Sequence, residues 1–248
     1  MEQVKSDIER FADMLKKSSR TVFFGGAGVS TESGLKDYRS KDGIYHTARE
    51  YGRSPEEILS SDCFFGDTEL FYRFFRDFFM EKAEPNRTHL ALARLERSGM
   101  DITVVTQNID GLHQKAGSSK VFELHGTTSS LHCVSCREKY SHDYLSESSA
   151  NVPRCRSCGN VIKPDVVLYG EQLDDKVVQG ALKAISKADL LIIGGTSLAV
   201  YPAAGFVHYF GGEDIVIINR ESTPFDSAAS LVVHESLGDV FDEAMSLL

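Results

Sequence analysis

Apolar side chains at Val4, Ile8, Phe11, Met14 and Leu15 recur at helical spacing, so the chain is predicted to open with an amphipathic helix over about residues 4–17. Thr21-Val22-Phe23-Phe24 has the pattern of a short buried strand, stopped by Gly25-Gly26-Ala27-Gly28. Ser30 and Thr31 follow as caps or phosphate ligands where a further helix would start. Strands are also predicted at about 102–106, 121–124, 166–168, 190–193 and 215–218, with helical patterns at about 88–97, 176–186 and 240–247. Alternation of this kind predicts an α/β fold, a Rossmann-like parallel sheet covered by helices. The stretch 42–85 breaks the rhythm with a polar, poorly periodic segment that leads into an aromatic run at 70–79. Such a run lines a groove or a core, and core is the expectation because aromatic stripes at helical spacing face inward. Residues 127–163 show little apolar periodicity, as in a module held by metal rather than by burial.

Composition narrows the class. With 42% hydrophobic and 25% charged residues among 248, the chain is long enough and apolar enough to bury a full core. No run is long and apolar enough to cross a bilayer, and residues 1–7 are acidic with no apolar signal core, so a cytoplasmic protein without membrane partners is expected. The 27 basic against 36 acidic side chains give a net charge of −9, which disfavours nucleic acid and favours cationic partners such as lysine-rich segments.

Five cysteines are an odd number, which speaks against a disulfide framework. Four are paired by spacing: Cys133-x-x-Cys136 and Cys155-x-x-Cys158 are separated by 18 intervening residues, the arrangement that brings two thiolate hairpins around one structural Zn2+. Cys63, beside Phe64 and Phe65, is expected to be a small core residue.

Glycines at 25, 26 and 28 let backbone N–H groups approach a diphosphate, although the spacing is not G-x-G-x-x-G and a tight structural turn gives the same signal. The continuation decides between them. Gly26-Ala27-Gly28-Val29-Ser30 is followed by Ser33-Gly34 and Asp37-Tyr38-Arg39, then by Thr106-Gln107-Asn108-Ile109-Asp110 with Leu112-His113, and by His125-Gly126. After the cysteines come Lys163-Pro164, Val167, Tyr169-Gly170-Glu171, Gly195-Thr196-Ser197, Tyr201-Pro202-Ala203 and Asn219. In this order, over nearly the whole length, the chain resembles the sirtuin family, the NAD-dependent protein lysine deacylases.

The resemblance implies one catalytic domain of two lobes: a large Rossmann-like lobe at about 1–38, 84–125 and 165–248, and a small lobe at about 39–83 and 126–164 that combines a helical insertion with the zinc module. NAD is the implied co-substrate and acylated lysine in a protein or peptide the implied partner; a monomer is expected. Breaking the bond between nicotinamide and ribose creates a cationic centre, so the site must hold the leaving carboxamide while presenting a nucleophile on the opposite face. By resemblance, Asp110 and the Ile109 backbone meet the carboxamide, Asn108 orients the ribose and a water, and Gln107 contacts ribose hydroxyls. His125 is then the general base, a task suited to a group titrating near neutrality. Gly26, Ala27, Gly28 and Thr31 face phosphate, Tyr38 and Arg39 gate the nicotinamide pocket, and Thr196, Ser197, Asn219, Arg220 and Leu237 surround the second ribose and adenine. His113 and His132 receive no such role.

Strand addition is the implied mode of peptide binding, with Val166, Val167, Leu168, Tyr169, Gly170 and Glu171 on one side and Ser197 to Val200 on the other. Family members that favour succinyl or malonyl groups carry a Tyr followed three residues later by an Arg. Here Tyr72 is followed at that offset by Phe75, and Arg76 lies about 100° further round the helix, so acetyl or other uncharged acyl groups are expected. Three departures from the family pattern fall near the glycine turn: Tyr38 for the usual Phe, Lys36 for Pro, and Gly25 for a frequent Thr. A mono-ADP-ribosyltransferase is the competing reading, and a nucleic-acid zinc ribbon is opposed by the charge.

Overall fold

The computed structural model describes residues 2–37, 44, 48–148 and 150–248. Its strands are β1 (Thr21–Gly25), β2 (Ile102–Thr106), β3 (Val121–Glu123), β4 (Gly126–Cys133), β5 (Lys139–Ser141), β6 (Ile162–Val166), β7 (Leu190–Gly194), β8 (Asp214–Ile218) and β9 (Leu231–Val233). Six of them form one parallel sheet in the order β3-β2-β1-β7-β8-β9. Side-chain alternation explains why their sequences read as unbroken apolar runs. Phe23, Leu190, Ile192, Val216 and Ile218 join a core shared with the helices Glu2–Lys17, Arg87–Arg97 and Leu237–Ser246. Val22, Phe24, Leu191, Ile193 and Ile217 join another, shared with the helix Asp175–Lys187 and the 3-10 segment Ala203–Tyr209. With both faces covered, the central strands β1 and β7 are buried at every position.

Side-chain caps fix where the covering helices begin. Asn86 Oδ1 accepts from Thr88 N at 3.1 Å and His89 N at 3.4 Å, Asp174 Oδ1 accepts from Lys176 N at 2.8 Å, and Ser236 Oγ accepts from Asp239 N at 3.4 Å.

Strand order reverses between β1 and β7, so the loops leaving their carboxyl ends diverge and open a crevice there. At this point the two loops touch through glycine. Gly28 N donates to Gly195 O at 2.8 Å, and Gly195 has φ +58, where a Cβ would lie 2.4 Å from Val29 N. No side chain fits that approach.

A second sheet, β5-β4-β6, is antiparallel. Gly126, at φ +75, turns the chain out of β3 into β4, and a register shift follows between Gly126 and Leu131. Leu131, Cys133, Ile162 and Val166 from this sheet pack with Phe71, Tyr72, Phe74 and Phe75 in a third apolar cluster. The aromatic run is the helix Thr68–Phe79, capped by Asp67, and those four rings are fully buried in core as expected. It follows two short helices, Pro55–Ile58 and Ser61–Gly66, that the sequence pattern did not reveal.

Two expectations are corrected. The run 166–168 adds no strand to the parallel sheet: Val166 closes β6, and Val166 and Leu168 are apolar because they fill the third cluster. The sixth parallel strand is instead β9, an edge strand of three residues. Nor does an α-helix follow the glycine turn. Two one-turn 3-10 segments, Ala27–Val29 and Thr31–Ser33, occupy the place, and Asn86 Nδ2 takes the Val29 carbonyl at 2.7 Å, out of any helical ladder.

Replacing Gly195 with alanine is expected to cost at least about 2 kcal/mol, from left-handed strain plus the clash with Val29 N. Urea unfolding checks this, and a wild-type midpoint for Gly195→Ala would contradict the close approach.

Candidate active site

A cavity of about 1280 Å³ opens at the carboxyl ends of β1, β2, β3, β7 and β8 and extends to the Val166–Glu171 segment and the aromatic helix. Every described residue among the expected cofactor contacts lines it: Gly26, Ala27, Gly28, Thr31, Gln107, Asn108, Ile109, Asp110, His125, Thr196, Ser197, Asn219, Arg220 and Leu237. Tyr38 and Arg39 lie outside the described residues. The expected peptide wall, Val166, Val167, Leu168, Tyr169, Gly170, Glu171, Ser197 and Val200, borders the same space.

The glycine loop is held differently from expectation. Gly26 N donates to Gly194 O at 3.2 Å and Gly28 N to Gly195 O at 2.8 Å, so these two N–H groups join β1 to β7 and do not face a phosphate. Thr31 Oγ1 donates to Gly28 O at 3.0 Å. The glycines are required by the loop contact, not by the backbone's own donors.

After β2 the chain enters a run of polar side chains linked in a fixed direction. Asn108 Nδ2 donates to Ser30 Oγ at 3.0 Å, Ser30 Oγ donates to Asp110 Oδ2 at 2.7 Å, and Leu112 N donates to Asp110 Oδ1 at 2.9 Å. Because the Asp110 oxygens accept, Ser30 must donate to one, which places the nitrogen and not the oxygen of Asn108 toward Ser30. Asn108 and Ser30 are both buried, which strengthens these bonds. Gln107 Nε2 donates to Thr196 Oγ1 at 3.1 Å, tying the β2 loop to the β7 loop across the end of β1. The Ile109 carbonyl accepts from Thr128 N at 2.8 Å and Thr128 Oγ1 at 2.9 Å.

His125 sits between β3 and β4, where the parallel sheet gives way to the antiparallel one. Its Nδ1 is 2.9 Å from Gln107 O. A carbonyl only accepts, so Nδ1 carries the proton and Nε2 the free lone pair. Burial pushes the imidazole below its ordinary value, and the bond to Gln107 O opposes this in part. The His125 carbonyl in turn accepts from Val167 N at 2.9 Å, which fixes the residue on both sides.

The remaining histidines separate cleanly. His113 and His89 are buried with ring centroids 4.6 Å apart, and burial lowers them to about 3 and about 4. They are neutral packing groups behind the Asp110 turn. His132 and Ser130 both bond Asp165 across β4 and β6. Sequence reasoning missed Asn86, which couples the helix Arg87–Arg97 to the glycine loop through Val29 O at 2.7 Å and Ser33 Oγ at 3.0 Å. Its only sequence signal was that of an N-cap. It also missed Thr128, which holds Ile109 from β4.

Cys133, Cys136, Cys155 and Cys158 bring their sulfurs within 4.8 Å of one another. A tetrahedral shell with Zn–S bonds of about 2.3 Å sets sulfurs about 3.8 Å apart, so four thiolates fit Zn2+ with no position left for water. Two matching turns present them: Cys133 N bonds Glu138 O at 2.9 Å and Cys155 N bonds Asn160 O at 2.8 Å. The backbone and side chain of Asn160, then Cys133, lower the Cys158 thiol to about 6, so it is ready to bind as thiolate. Cys63 is buried beside Phe64, as expected of a core residue.

A six-stranded parallel sheet with a glycine-closed switch point, joined to a four-thiolate module at a histidine, defines a narrow class of proteins. The Sir2 family model matches residues 26–202, and the chain belongs to that family. Among its curated relatives, the NAD-dependent protein deacetylase of Clostridium acetobutylicum is 47% identical over 95% of this chain and 96% of its own. The NAD-dependent protein deacetylase of Clostridium perfringens is 48% identical over 96% and 98%. A solved Sir2 with a p53 peptide and NAD+ has a TM-score of 0.85 at 38% identity, covering 96% of this chain and 97% of that one.

Metal analysis is expected to find one zinc per chain. Its removal by chelator should lower the melting temperature sharply, since metal binding of this kind supplies on the order of 10 kcal/mol to its module. Full retention of shape after chelation would contradict a structural metal.

Proposed function

We propose that this chain is an NAD-dependent protein lysine deacylase, converting acyl-lysine, NAD and water to lysine, nicotinamide and the O-acyl ester of ADP-ribose. One observation carries the reading: His125 shares its crevice with the switch-point loops and, through Nδ1–H to Gln107 O at 2.9 Å, keeps Nε2 unprotonated. Dinucleotide sheets do not by themselves require a base at this place.

NAD supplies an anomeric carbon with nicotinamide as leaving group, and the acyl-lysine carbonyl oxygen is the nucleophile. The residues of the chain do the rest. Asp110 and the Ile109 N–H suit the carboxamide, the Ile109 carbonyl being engaged by Thr128. Asn108, oriented by Ser30, positions the ribose and a water, while Gln107 meets ribose hydroxyls. His125 Nε2 then removes the 2′-hydroxyl proton so that this oxygen can add to the acyl carbon. Thr196, Ser197, Asn219, Arg220 and Leu237 take the second ribose and adenine. Transfer of ADP-ribose to a side chain would need nicotinamide cleavage but no such base, so the fixed tautomer of His125 favours deacylation.

The lobes are assigned at about 1–38, 84–125 and 165–248 against about 39–83 and 126–164, with the acyl-lysine entering between them. Among the described residues no helix is long and apolar enough to cross a membrane. A cytoplasmic monomer acting on acylated lysine in proteins accords with that.

Acyl choice follows from the helix Thr68–Phe79. Phe75 lines the cavity with Phe78 and Phe79, whereas the Tyr72 hydroxyl bonds Ile162 O. Arg76 turns away, donating to Leu145 O at 2.7 Å and Ala150 O at 3.0 Å. This helix therefore offers a dicarboxylic acyl group no cation: beside Phe75 and Phe79 its carboxylate would be unpaired, the Lys36 Nζ standing 5.9 Å from the ring centroid of Phe78.

Incubation with acylated peptides, with and without NAD, and mass spectrometry of the products tests the reading: nicotinamide should appear only when NAD and acyl peptide are both present. Acetyl-lysine should exceed succinyl-lysine in kcat/KM by at least about 100-fold, the cost of an unpaired buried carboxylate. Comparable rates would overturn the apolar assignment.

The base is active when neutral, so activity is retained above its pKa and lost below it. Since burial lowers His125, the acid limb of kcat/KM should fall below the ordinary imidazole value of about 6.5. A limb at or above that value would contradict the environment described.

A further inference from the structure

Lys163 is a charged residue only 7% exposed, on β6, outside the groups assigned a role in the reaction. Its Nζ lies 2.8 Å from Val166 O, 3.4 Å from Pro164 O and 3.0 Å from Glu171 Oε2. The same Glu171 oxygen accepts from Leu168 N at 2.9 Å, and Glu171 N donates to Leu168 O at 2.9 Å. The ion pair thus spans the stretch from Pro164 to Gly170, the wall expected to meet the acyl-lysine peptide.

We propose that Lys163 is a positioning residue for the peptide-binding segment, a buried strut that sets its shape through Val166 O and Glu171. The proposal rests on the deacylase reading. Two physical points carry it. A lysine at this burial is unfavourable unless its charge is met, and a well-packed apolar residue would serve stability as well or better. The bonds it makes also converge on one backbone segment and on little else. Strut and outer contacts divide the segment between them: Val166 O and Leu168 N–H turn toward Lys163 and Glu171, while Val167 N–H and Tyr169 N–H turn toward His125 O at 2.9 Å and Leu59 O at 3.0 Å. Strand addition requires the receiving edge to be straight and fixed in register before the peptide arrives. Glu171 accordingly belongs to the strut and not to the peptide.

The test compares Lys163→Met with Lys163→Arg, whose guanidinium can reach the same acceptors. For Lys163→Met, KM for an acetyl-lysine peptide is expected to rise about tenfold, as for loss of a prearranged edge, while KM for NAD stays within about twofold. Lys163→Arg should restore peptide KM to within about threefold. Wild-type peptide KM in Lys163→Met, or an equal rise in both KM values, would overturn the proposal.

If Lys163→Met does not fold, Glu171→Gln removes the charge that holds Lys163 and leaves Leu168 N–H only a weaker neutral acceptor, and should raise peptide KM about threefold with KM for NAD unchanged. An unchanged peptide KM there would overturn the proposal equally. Hydrogen exchange separates its failure from that of the functional reading. The Leu168 amide should exchange at least about tenfold faster in the folded variant than in wild type, whether or not the wild-type chain turns over acyl peptide. Equal exchange would remove the strut; an inactive wild type with faster exchange in the variant would remove the deacylase reading and leave the strut standing.

Discussion

The contact between Gly28 and Gly195 governs the rest of the molecule. It lies where strand order reverses, and its geometry leaves no room for a Cβ on either side. Two loops that would otherwise diverge are pinned at their bases, and the crevice opens above them. From that base, Gln107 reaches across to Thr196, Ser30 meets Asn108 and Asp110, and Asn86 braces the loop from behind. Each bond is modest alone, but burial makes an unpaired partner costly, so the set behaves as one unit.

His125 draws on two such units. Gln107 O sets its tautomer from the sheet lobe, and Val167 N holds its carbonyl from the segment that follows β6. The residue is therefore held through both its ring and its carbonyl. The metal module acts at a distance: four thiolates fix two turns, the turns fix β4 and β6, and β4 carries Thr128, which holds Ile109. Zinc in this position shapes the site without taking part in bond-making.

Much of this was legible in the sequence, for physical reasons that differ by element. Strands β1, β2, β7 and β8 are covered on both faces, so their central positions are mostly apolar and easily read. The cysteine spacing is equally plain, because four ligands around one ion tolerate few separations. Val166 and Leu168 misled because the same apolar composition serves a cluster in the smaller sheet. The glycine loop was read as a special turn, and its Gly26 and Gly28 N–H groups are taken by the neighbouring loop, since sequence cannot tell a backbone approached by a ligand from one approached by another loop. Asn86 and Thr128 act through contacts far along the chain, which the N-cap pattern of Asn86 does not signal and nothing local signals for Thr128.

The central claim is that a neutral imidazole at position 125 removes a proton after the nicotinamide bond has been broken. Comparing His125→Ala with wild type, by following both free lysine and exchange of labelled nicotinamide into NAD, tests it most directly. Lysine release should fall by about 10²- to 10⁴-fold, as expected for loss of a general base, while peptide-dependent nicotinamide exchange persists. Lysine release at the wild-type rate would contradict the account.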